Sequence, residues 1–316
     1  MSAPAERQGT CRIVELPLAD GEGPMPASAP WLALRRAGAA CYAIGYAMLR
    51  ATARWARDVY RFIAFPFSHC RGVYPDFRRA ESAALPMTRI GFDHAGLAGQ
   101  YRAELYLGLD NSEYPLLYYL ERILTRHSTV LDFGGNIGVH YLRFRNYLAL
   151  DKVRWIVCDV PAITRVGRVT CADIPNIEFI NDIDELGCAI DIFLASGSLQ
   201  YVESHDSLLT RLLEPHTRPG HLLLDHLPLY DGQRFVTLQN GGRLLRYPQY
   251  VFNREDYLSS IADRGYELVD SWDCRNASCL IPFHRGKAVR AFSGLYFRVT
   301  DDRKTTLSRV SAPSPI

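Results

Sequence analysis

The stretch Val130-Leu131-Asp132-Phe133-Gly134-Gly135-Asn136-Ile137-Gly138 decides the fold. The apolar run from Thr129 to Phe133 predicts a strand, the glycines allow a tight turn, and residues 139–150 have helical periodicity. A strand, a glycine turn and a helix start in this order place a ligand against bare backbone. The stretch therefore predicts a nucleotide-type turn in an α/β protein.

Three nucleotide-binding turns share this outline, and residue spacing separates them. A P-loop needs a Lys-Ser/Thr pair after its second glycine, and none is present there. A dinucleotide turn needs glycines at relative positions 1, 3 and 6, where this chain has Gly134, Asn136 and Val139. What remains is an acid followed by small residues at every second position, namely Asp132, Gly134, Asn136 and Gly138.

This spacing resembles motif I of class I S-adenosylmethionine-dependent methyltransferases. In that family the turn passes close under the amino-acid part of the cofactor, and the acid lies near the cofactor's ammonium end. The resemblance implies S-adenosylmethionine as cofactor, bound around Asp132, Gly134, Gly135, Asn136 and Gly138. Asn136 departs from the commonest glycine, but asparagine tolerates left-handed backbone and can cap the following helix. A tight turn without a ligand is the structural alternative.

Apolar runs alternate with helices after Gly138, as a doubly wound parallel sheet requires. The predicted strands are 129–133, 153–158, 177–180, 190–195 and 221–224, followed by an antiparallel pair at 266–272 and 295–299. The predicted fold class is therefore α/β, a doubly wound, seven-stranded, mostly parallel sheet with an N-terminal helical extension. The resemblance implies that this sheet is that of a Rossmann-like methyltransferase.

Polar residues follow each predicted strand, and doubly wound sheets bind ligands at the carboxyl ends of their strands. Asp159 follows the second strand, where its two carboxylate oxygens are placed to accept both hydroxyls of a ribose. Asn181 and Asp182 are the corresponding residues for the adenine, and each equally fits a turn. Ser196 and Gly197 follow the fourth strand, where the cofactor would meet the substrate pocket.

Two candidate catalytic residues, Asp225 and His226, follow the fifth predicted strand. A hydroxyl acceptor is a poor nucleophile until it begins to lose its proton, so a positioned base helps. His226 titrates near neutrality and is the first candidate, and Asp225 is the second. A histidine hydrogen-bonded in a loop is the structural alternative. Hydrogen bonds that orient the acceptor are expected from Gln200, Tyr201 and Gln239.

Further stretches are similar to the bacterial methyltransferase family of the LIC12133 type, over about residues 72–298. They are 72–74, 131–135, 196–201, 236–239, 246–248 and 265–269. Family members tend to occur among surface-polysaccharide functions, which implies O-methylation of a sugar. Where the family often has Asp-Arg after the fifth strand, this chain has Asp225-His226.

The domain organisation follows from composition along the chain. We expect disordered tails at 1–30 and 301–316, a basic amphipathic helix at 31–66, a helical cap at 67–127 and the methyltransferase domain at 128–300. The connection 227–252 is long, polar and aromatic, which predicts a functional lid. Arg50, Arg54, Arg57 and Arg61 share one face of the N-terminal helix. Such a helix suits an anionic membrane surface, or packs on the main domain or a second subunit.

Composition narrows the partners. A net charge of +2 gives no global signal for nucleic acid. Eight cysteines stand without a CxxC pair, so we expect no metal site and a cytoplasmic protein, with peripheral contact to the inner membrane face through residues 31–66. The leading hypothesis is in-line O-methylation of a glycan or small-molecule hydroxyl. The alternatives are an N-methyltransferase, a nucleotide-sugar enzyme or a non-catalytic membrane-associated binding protein, because fold does not fix chemistry.

Overall fold

The computed structural model describes residues 29–64, 69–84, 89–214, 218–241, 245–282 and 284–300. The chain divides into two compact units, residues 1–54 and 55–316. The predicted tails lie outside the described residues, except that Ala29 and Pro30 are already helical.

The described ranges contain eight α-helices and twelve strands. The helices are α1 (Ala29–Ala64), α2 (Phe77–Ser82), α3 (Ala98–Glu104), α4 (Glu113–Ile123), α5 (Val139–Phe144), α6 (Pro161–Thr170), α7 (His205–Leu212) and α8 (Arg254–Ala262). The strands are β1 (Cys70–Tyr74), β2 (Arg89–Ile90), β3 (Thr129–Phe133), β4 (Arg154–Cys158), β5 (Ile177–Ile180), β6 (Ile192–Ser196), β7 (His221–Leu227), β8 (Leu229–Tyr230), β9 (Phe235–Asn240), β10 (Leu245–Asn253), β11 (Tyr266–Cys274) and β12 (Phe292–Val299). Among the described helices, none combines the length and apolar character needed to cross a membrane.

Seven strands form the main sheet, in the order β11-β12-β7-β6-β3-β4-β5. Pairing is parallel from β5 through β4, β3 and β6 to β7, whereas β12 is antiparallel to both β7 and β11. The first strand of this sheet, β3, is therefore central, β4 and β5 follow on one side of it, and β6 and β7 follow on the other. The predicted fold class, a doubly wound, mostly parallel Rossmann-like sheet, is confirmed. The carboxyl ends of β3 and β6 meet at its topological switch point, where such sheets bind ligands.

Apolar side chains cover both faces of this sheet. Leu131 belongs to a cluster with Phe193 and Leu224, while its neighbour Val130 packs with Trp155 in the cluster on the opposite face. This division follows from the strand geometry, since successive side chains point to opposite faces. Each such buried side chain contributes roughly 1.5–3 kcal/mol relative to exposure.

A second sheet corrects two predictions. The strands β9 and β10 form an antiparallel hairpin, β1 joins the outer side of β9, and β2 and β8 pair with β10. Residues 227–252 are therefore mostly strands rather than a long lid. The segment 67–127 is not a purely helical cap, because it contributes β1 and β2 to this sheet. Every residue of β9 is buried, so the strand lacks the alternating polar pattern by which half-buried strands are recognised.

Two element ends also differ from prediction. Helix α5 ends at Phe144, well before residue 150. Strand β7 continues through Asp225 and His226 to Leu227, whereas the sequence placed both polar residues after the strand. His226 has φ 55°, in the left-handed region, and the pairing of β7 with β12 shifts register nearby. Such bulges re-aim side chains and are frequent next to active sites.

Candidate active site

A cavity of about 380 Å³ lies at the carboxyl ends of β3, β4, β5 and β6. Its volume is within the range of small-molecule pockets, about 300–1,000 Å³. The sequence-predicted cofactor residues in its lining are Gly134, Asn136, Asp159, Ser196 and Gly197. The structure thus brings together residues from three separate strand ends.

The glycine turn presents its backbone to the cavity. Gly134 has φ 74° and Asn136 has φ 57°, so both occupy the left-handed region. A Cβ atom at Gly134 would collide with the side chain of Ser198. The Ser198 hydroxyl donates a 2.6 Å hydrogen bond to the Phe133 carbonyl, which holds the loop after β6 against the turn. Glycine at 134 is therefore required both by the backbone conformation and by this close approach.

The Asp159 carboxylate is held by two backbone amides. The amide of Asn136 donates to Oδ2 at 2.9 Å, and the amide of Val160 donates to Oδ1 at 2.7 Å. Burial raises the pKa of Asp159 to about 6, against the opposite effect of these two hydrogen bonds. At neutral pH the group is thus mostly ionised. Each carboxylate oxygen keeps acceptor capacity for a ligand hydroxyl.

The two residues predicted for the adenine lie in different environments. Asn181 lines the cavity, and its amide nitrogen donates to the Asp159 carbonyl and to the Thr164 hydroxyl, both at 2.7 Å. Asp182 is outside the lining. Its carboxylate caps the short helical turn Ile183–Glu185 and pairs with Arg211 at 2.7 Å. The backbone amide of Asp184 and the Arg211 guanidinium lower the pKa of Asp182.

The motif acid Asp132 lies inside the fold rather than in the cavity lining. Its carboxylate accepts from His140 Nδ1 at 2.9 Å and from Trp155 Nε1 at 3.1 Å. Burial by itself would lower the pKa of His140, but the Asp132 carboxylate raises it above its usual value. Gly135 lies against this carboxyl group, which a Cβ there would meet, and Gly138 caps α5 with φ 91°. Neither glycine lines the cavity.

The second predicted acid, Asp225, is fully buried beside the cavity. It accepts hydrogen bonds from four side chains. These are His226 Nδ1 at 2.6 Å, Trp272 Nε1 at 2.9 Å, Cys274 Sγ at 2.9 Å and Ser196 Oγ at 3.3 Å. Because Ser196 also lines the cavity, the Asp225–His226 pair lies one layer behind its wall.

The orientation of His226 follows from these contacts. Nδ1 faces Asp225, while Nε2 lies 3.2 Å from the Asn276 side-chain oxygen and 3.5 Å from the Ser112 hydroxyl. Burial opposes the charged imidazole, yet the hydrogen bond and charge of Asp225 raise the pKa of His226 above its usual value. His226 itself is not part of the cavity lining. Its left-handed backbone is an observed strain of the kind that functional sites retain.

Three residues of types that can bind metal ions lie together at the same place. Ligand atoms of Asp225, His226 and Cys274 lie within 4.8 Å of one another. Sequence reasoning missed Cys274 because it comes from β11, far along the chain. Burial raises the pKa of Cys274 well above its usual value, so the thiol keeps its proton and donates it to Asp225. Among the described residues, the ligand atoms of Asp225, His226 and Cys274 are therefore already engaged in hydrogen bonds with one another.

The predicted acceptor-binding residues are only partly in the cavity wall. Tyr201 lines the cavity, and its hydroxyl donates to Gln239 Oε1 at 2.6 Å. Gln239 and Gln200 are both buried and lie outside the lining. The side-chain oxygen of Gln200, Oε1, has no hydrogen-bond partner among the described residues.

An aromatic wall was missed by sequence reasoning. Phe92 stacks on Tyr247 with ring centroids 3.8 Å apart, and Tyr201 meets Phe92 edge-on at 4.7 Å. Leu97 and Tyr101 add apolar lining from the segment before α4. The aromatic content of residues 227–252 was the available signal for Tyr247, but nothing in the pattern around Phe92 indicated its place. Three further tyrosines before β3, Tyr106, Tyr114 and Tyr118, are exposed and outside the lining.

Comparison with known proteins adds only fold similarity. No protein-family model matches the sequence, and no match was found among curated proteins. The 1,6-didemethyltoxoflavin-N1-methyltransferase of Burkholderia thailandensis, solved with S-adenosylhomocysteine, is 18% identical; the match covers 66% of this chain and 88% of that one, with TM-score 0.43. The magnesium protoporphyrin IX methyltransferase of Synechocystis PCC 6803, also with S-adenosylhomocysteine, is 13% identical over 66% and 96% of the two chains, with TM-score 0.45. An S-adenosylmethionine-dependent methyltransferase of Clostridium acetobutylicum ATCC 824 is 12% identical over 65% and 98%, with TM-score 0.44.

These values are too low to transfer an activity. The fold described above rests on the strand order of this chain itself. The resemblance to the LIC12133-type family stays a prediction.

Proposed function

We propose that the protein is an S-adenosylmethionine-dependent methyltransferase. The observation that carries the proposal is the cavity at the switch point of the sheet, where five residues predicted from sequence as cofactor contacts share one lining. They are Gly134, Asn136, Asp159, Ser196 and Gly197.

The residues present fit this cofactor. The Asp159 carboxylate, fixed by two amides, would accept both ribose hydroxyls. Gly134 presents only backbone to the cavity, against which the amino-acid part would lie. Asn181, which follows β5, would border the adenine. Asp132 would support the turn from within the fold, through His140, rather than contact the cofactor.

When bound, the cofactor would supply a methyl group on a leaving group that is already activated. The chain must then align the acceptor and exclude water. The stacked rings of Phe92 and Tyr247, with Tyr201 against them, form an apolar wall suited to both tasks. Aromatic faces of this kind fit a sugar ring or another flat acceptor. A glycan or small-molecule hydroxyl is therefore the acceptor class that we propose.

The proposed general base is His226, oriented by Asp225. With its Nδ1 proton held by Asp225, the imidazole would use Nε2 to take a proton from the acceptor oxygen. For this, Nε2 must first release the proton that it donates to the Asn276 side-chain oxygen. Nε2 faces Asn276 and Ser112. The acceptor would have to reach Nε2 on the side of Asn276 and Ser112, since the Ser196 hydroxyl lies 3.4 Å from Nδ1.

A labelling experiment tests the proposal. The full chain is incubated with methyl-labelled S-adenosylmethionine and a set of lipid-linked and nucleotide-linked sugars, and, separately, is photo-crosslinked to the same cofactor. We expect label on a sugar and a crosslink in peptides that line the cavity. Both should be lost in Asp159→Asn and kept in Asp173→Asn, which changes an exposed acid. A crosslink outside the cavity, or one that Asp159→Asn leaves unchanged, would overturn the proposal.

A further inference from the structure

Helix α1 has two exposed strips of different chemistry. Every side chain from Arg36 to Arg57 is exposed. At 3.6 residues per turn, four arginines of this stretch fall within an arc of about 60°. This basic strip consists of Arg36, Arg50, Arg54 and Arg57. Residues 36–57 contain no acid.

An apolar strip runs along the other side of the helix, over an arc of about 140°. It consists of Ile44, Met48, Leu49 and Trp55. Each of these side chains is more than half exposed, from 58% for Ile44 to 68% for Leu49. Contiguous exposed apolar surface rimmed by charge is typical of an interaction site.

Tyrosines lie along one border between the two strips. Tyr42 and Tyr46 stack with ring centroids 6.4 Å apart, and the guanidinium of Arg50 lies 4.6 Å from the centre of the Tyr46 ring. Tyrosine combines an apolar ring with a polar tip, and it is enriched where hydrocarbon meets water. The border residues therefore match the chemistry of a lipid headgroup region.

We propose that α1 lies along the surface of an anionic phospholipid bilayer. The apolar strip would enter the acyl boundary, and the basic strip would face lipid phosphates. The 22 residues from Arg36 to Arg57 would give a contact about 33 Å long.

Charge complementarity favours lipid over a second copy of the chain. A second α1 would cover the apolar strip, but its residues 36–57 would bring no anion to the arginines, since the nearest acid is Asp58. An anionic bilayer satisfies both strips at once. Binding to a bilayer requires no close packing of the helix against another protein surface. At Gly38 and Gly45 an added Cβ would meet nothing within 4 Å, so neither glycine marks a close helix contact among the described residues.

Vesicle flotation of the full chain tests the proposal without any cofactor. The vesicles are phosphatidylcholine alone, or phosphatidylcholine with a minority of phosphatidylglycerol. We expect flotation with the anionic vesicles only. The triple change Arg50→Gln, Arg54→Gln and Arg57→Gln should weaken partitioning by about tenfold or more. The matched control, Arg126→Gln, Arg275→Gln and Arg290→Gln, removes as many exposed positive charges elsewhere and should leave partitioning unchanged.

The apolar strip has its own readout. Trp55 emission should shift to the blue on vesicle binding, and Trp55→Phe should reduce the shift measured for the whole protein. Equal flotation with neutral vesicles, or equal losses in the two triple variants, would overturn the proposal. It would also be overturned if no vesicle binds while Met48→Ser dissociates a dimer in sedimentation, since the apolar strip would then be an interface between copies.

Discussion

The backbone amide of Asn136 donates a 2.9 Å hydrogen bond to the carboxylate of Asp159. This bond joins the turn after β3 to the end of β4. The turn thereby orients the carboxylate, and the carboxylate holds the left-handed Asn136 in place. The two halves of the proposed cofactor site therefore form one unit, in which backbone amides hold the carboxylate.

Replacing Asp159 should impair cofactor binding. Asp159→Asn keeps the size of the side chain but loses one acceptor oxygen and the charge. A hydrogen bond to a charged group contributes about 1.5–3 kcal/mol, so we expect affinity for S-adenosylhomocysteine to fall by about 10–150-fold. Equilibrium dialysis measures this change. The exposed Asp173→Asn is the control, and an equal loss in both variants would contradict the assigned role.

Cofactor affinity should fall in acid. The pKa of Asp159 is about 6, and only the ionised form offers both oxygens as acceptors. Binding should therefore be constant above about pH 7 and weaken by up to about tenfold per pH unit below pH 6. Affinities measured from pH 5 to pH 8 test this. A wild-type profile that has the same shape as that of Asp159→Asn would show that another group titrates.

The buried Asp132 should matter for stability. Asp132→Ala leaves His140 and Trp155 without their partner, and breaking a buried ion pair costs about 3–5 kcal/mol. His140 has a raised pKa, so the ion-pair contribution is complete below the ordinary histidine pKa and is lost as pH rises through the folded value. Urea unfolding at pH 6 and pH 9 should show the larger loss at pH 6. The exposed Asp151→Ala should change stability by less than about 0.5 kcal/mol.

Asp225 should control the titration of His226. Burial opposes the charged imidazole, and Asp225 overcomes that effect. Asp225→Asn should therefore lower the pKa of His226 below its usual value. Imidazole NMR signals measure the titration, with His226→Gln to assign the resonance. An unchanged pKa would mean that Asp225 does not orient a charged partner.

Removal of two tyrosine hydroxyls in the aromatic wall should change the free energy of unfolding in opposite directions. The buried Tyr247 hydroxyl has no hydrogen-bond partner among the described residues, whereas the Tyr201 hydroxyl donates to Gln239. Removing an unsatisfied buried group relieves its desolvation cost, and removing a bonded one leaves Gln239 with fewer contacts. We expect Tyr247→Phe to raise the free energy of unfolding by about 1 kcal/mol and Tyr201→Phe to lower it by about as much. Thermal unfolding of both variants gives the comparison, and equal signs would refute it.

Strong local patterns made the main sheet predictable. The run Thr129–Phe133 and the strand Ile177–Ile180 have the predicted bounds, because short apolar segments between turn signals identify buried parallel strands. The residues at the strand ends followed from the same reasoning. Asp159 could be placed at the cavity because a doubly wound sheet gathers the carboxyl ends of its strands at one edge.

Features that depend on tertiary contacts could not be predicted from the sequence. Strand β9 is buried along its whole length, so it has no alternation to mark it. The direction of the Asp132 side chain depends on His140 and Trp155, which spacing within the motif does not reveal. Cys274 comes close to Asp225 because β12 pairs with both β7 and β11, which brings these two distant parts of the chain into one sheet.

Calorimetric titration of the purified full chain with S-adenosylmethionine tests the central claim most directly. The claim predicts saturable binding at one site with micromolar affinity. Asp159→Asn, which removes one acceptor oxygen at the cavity lining, should weaken that binding, and the exposed Asp173→Asn should retain it. No heat of binding in the wild type, or tighter binding of a nicotinamide cofactor, would contradict it.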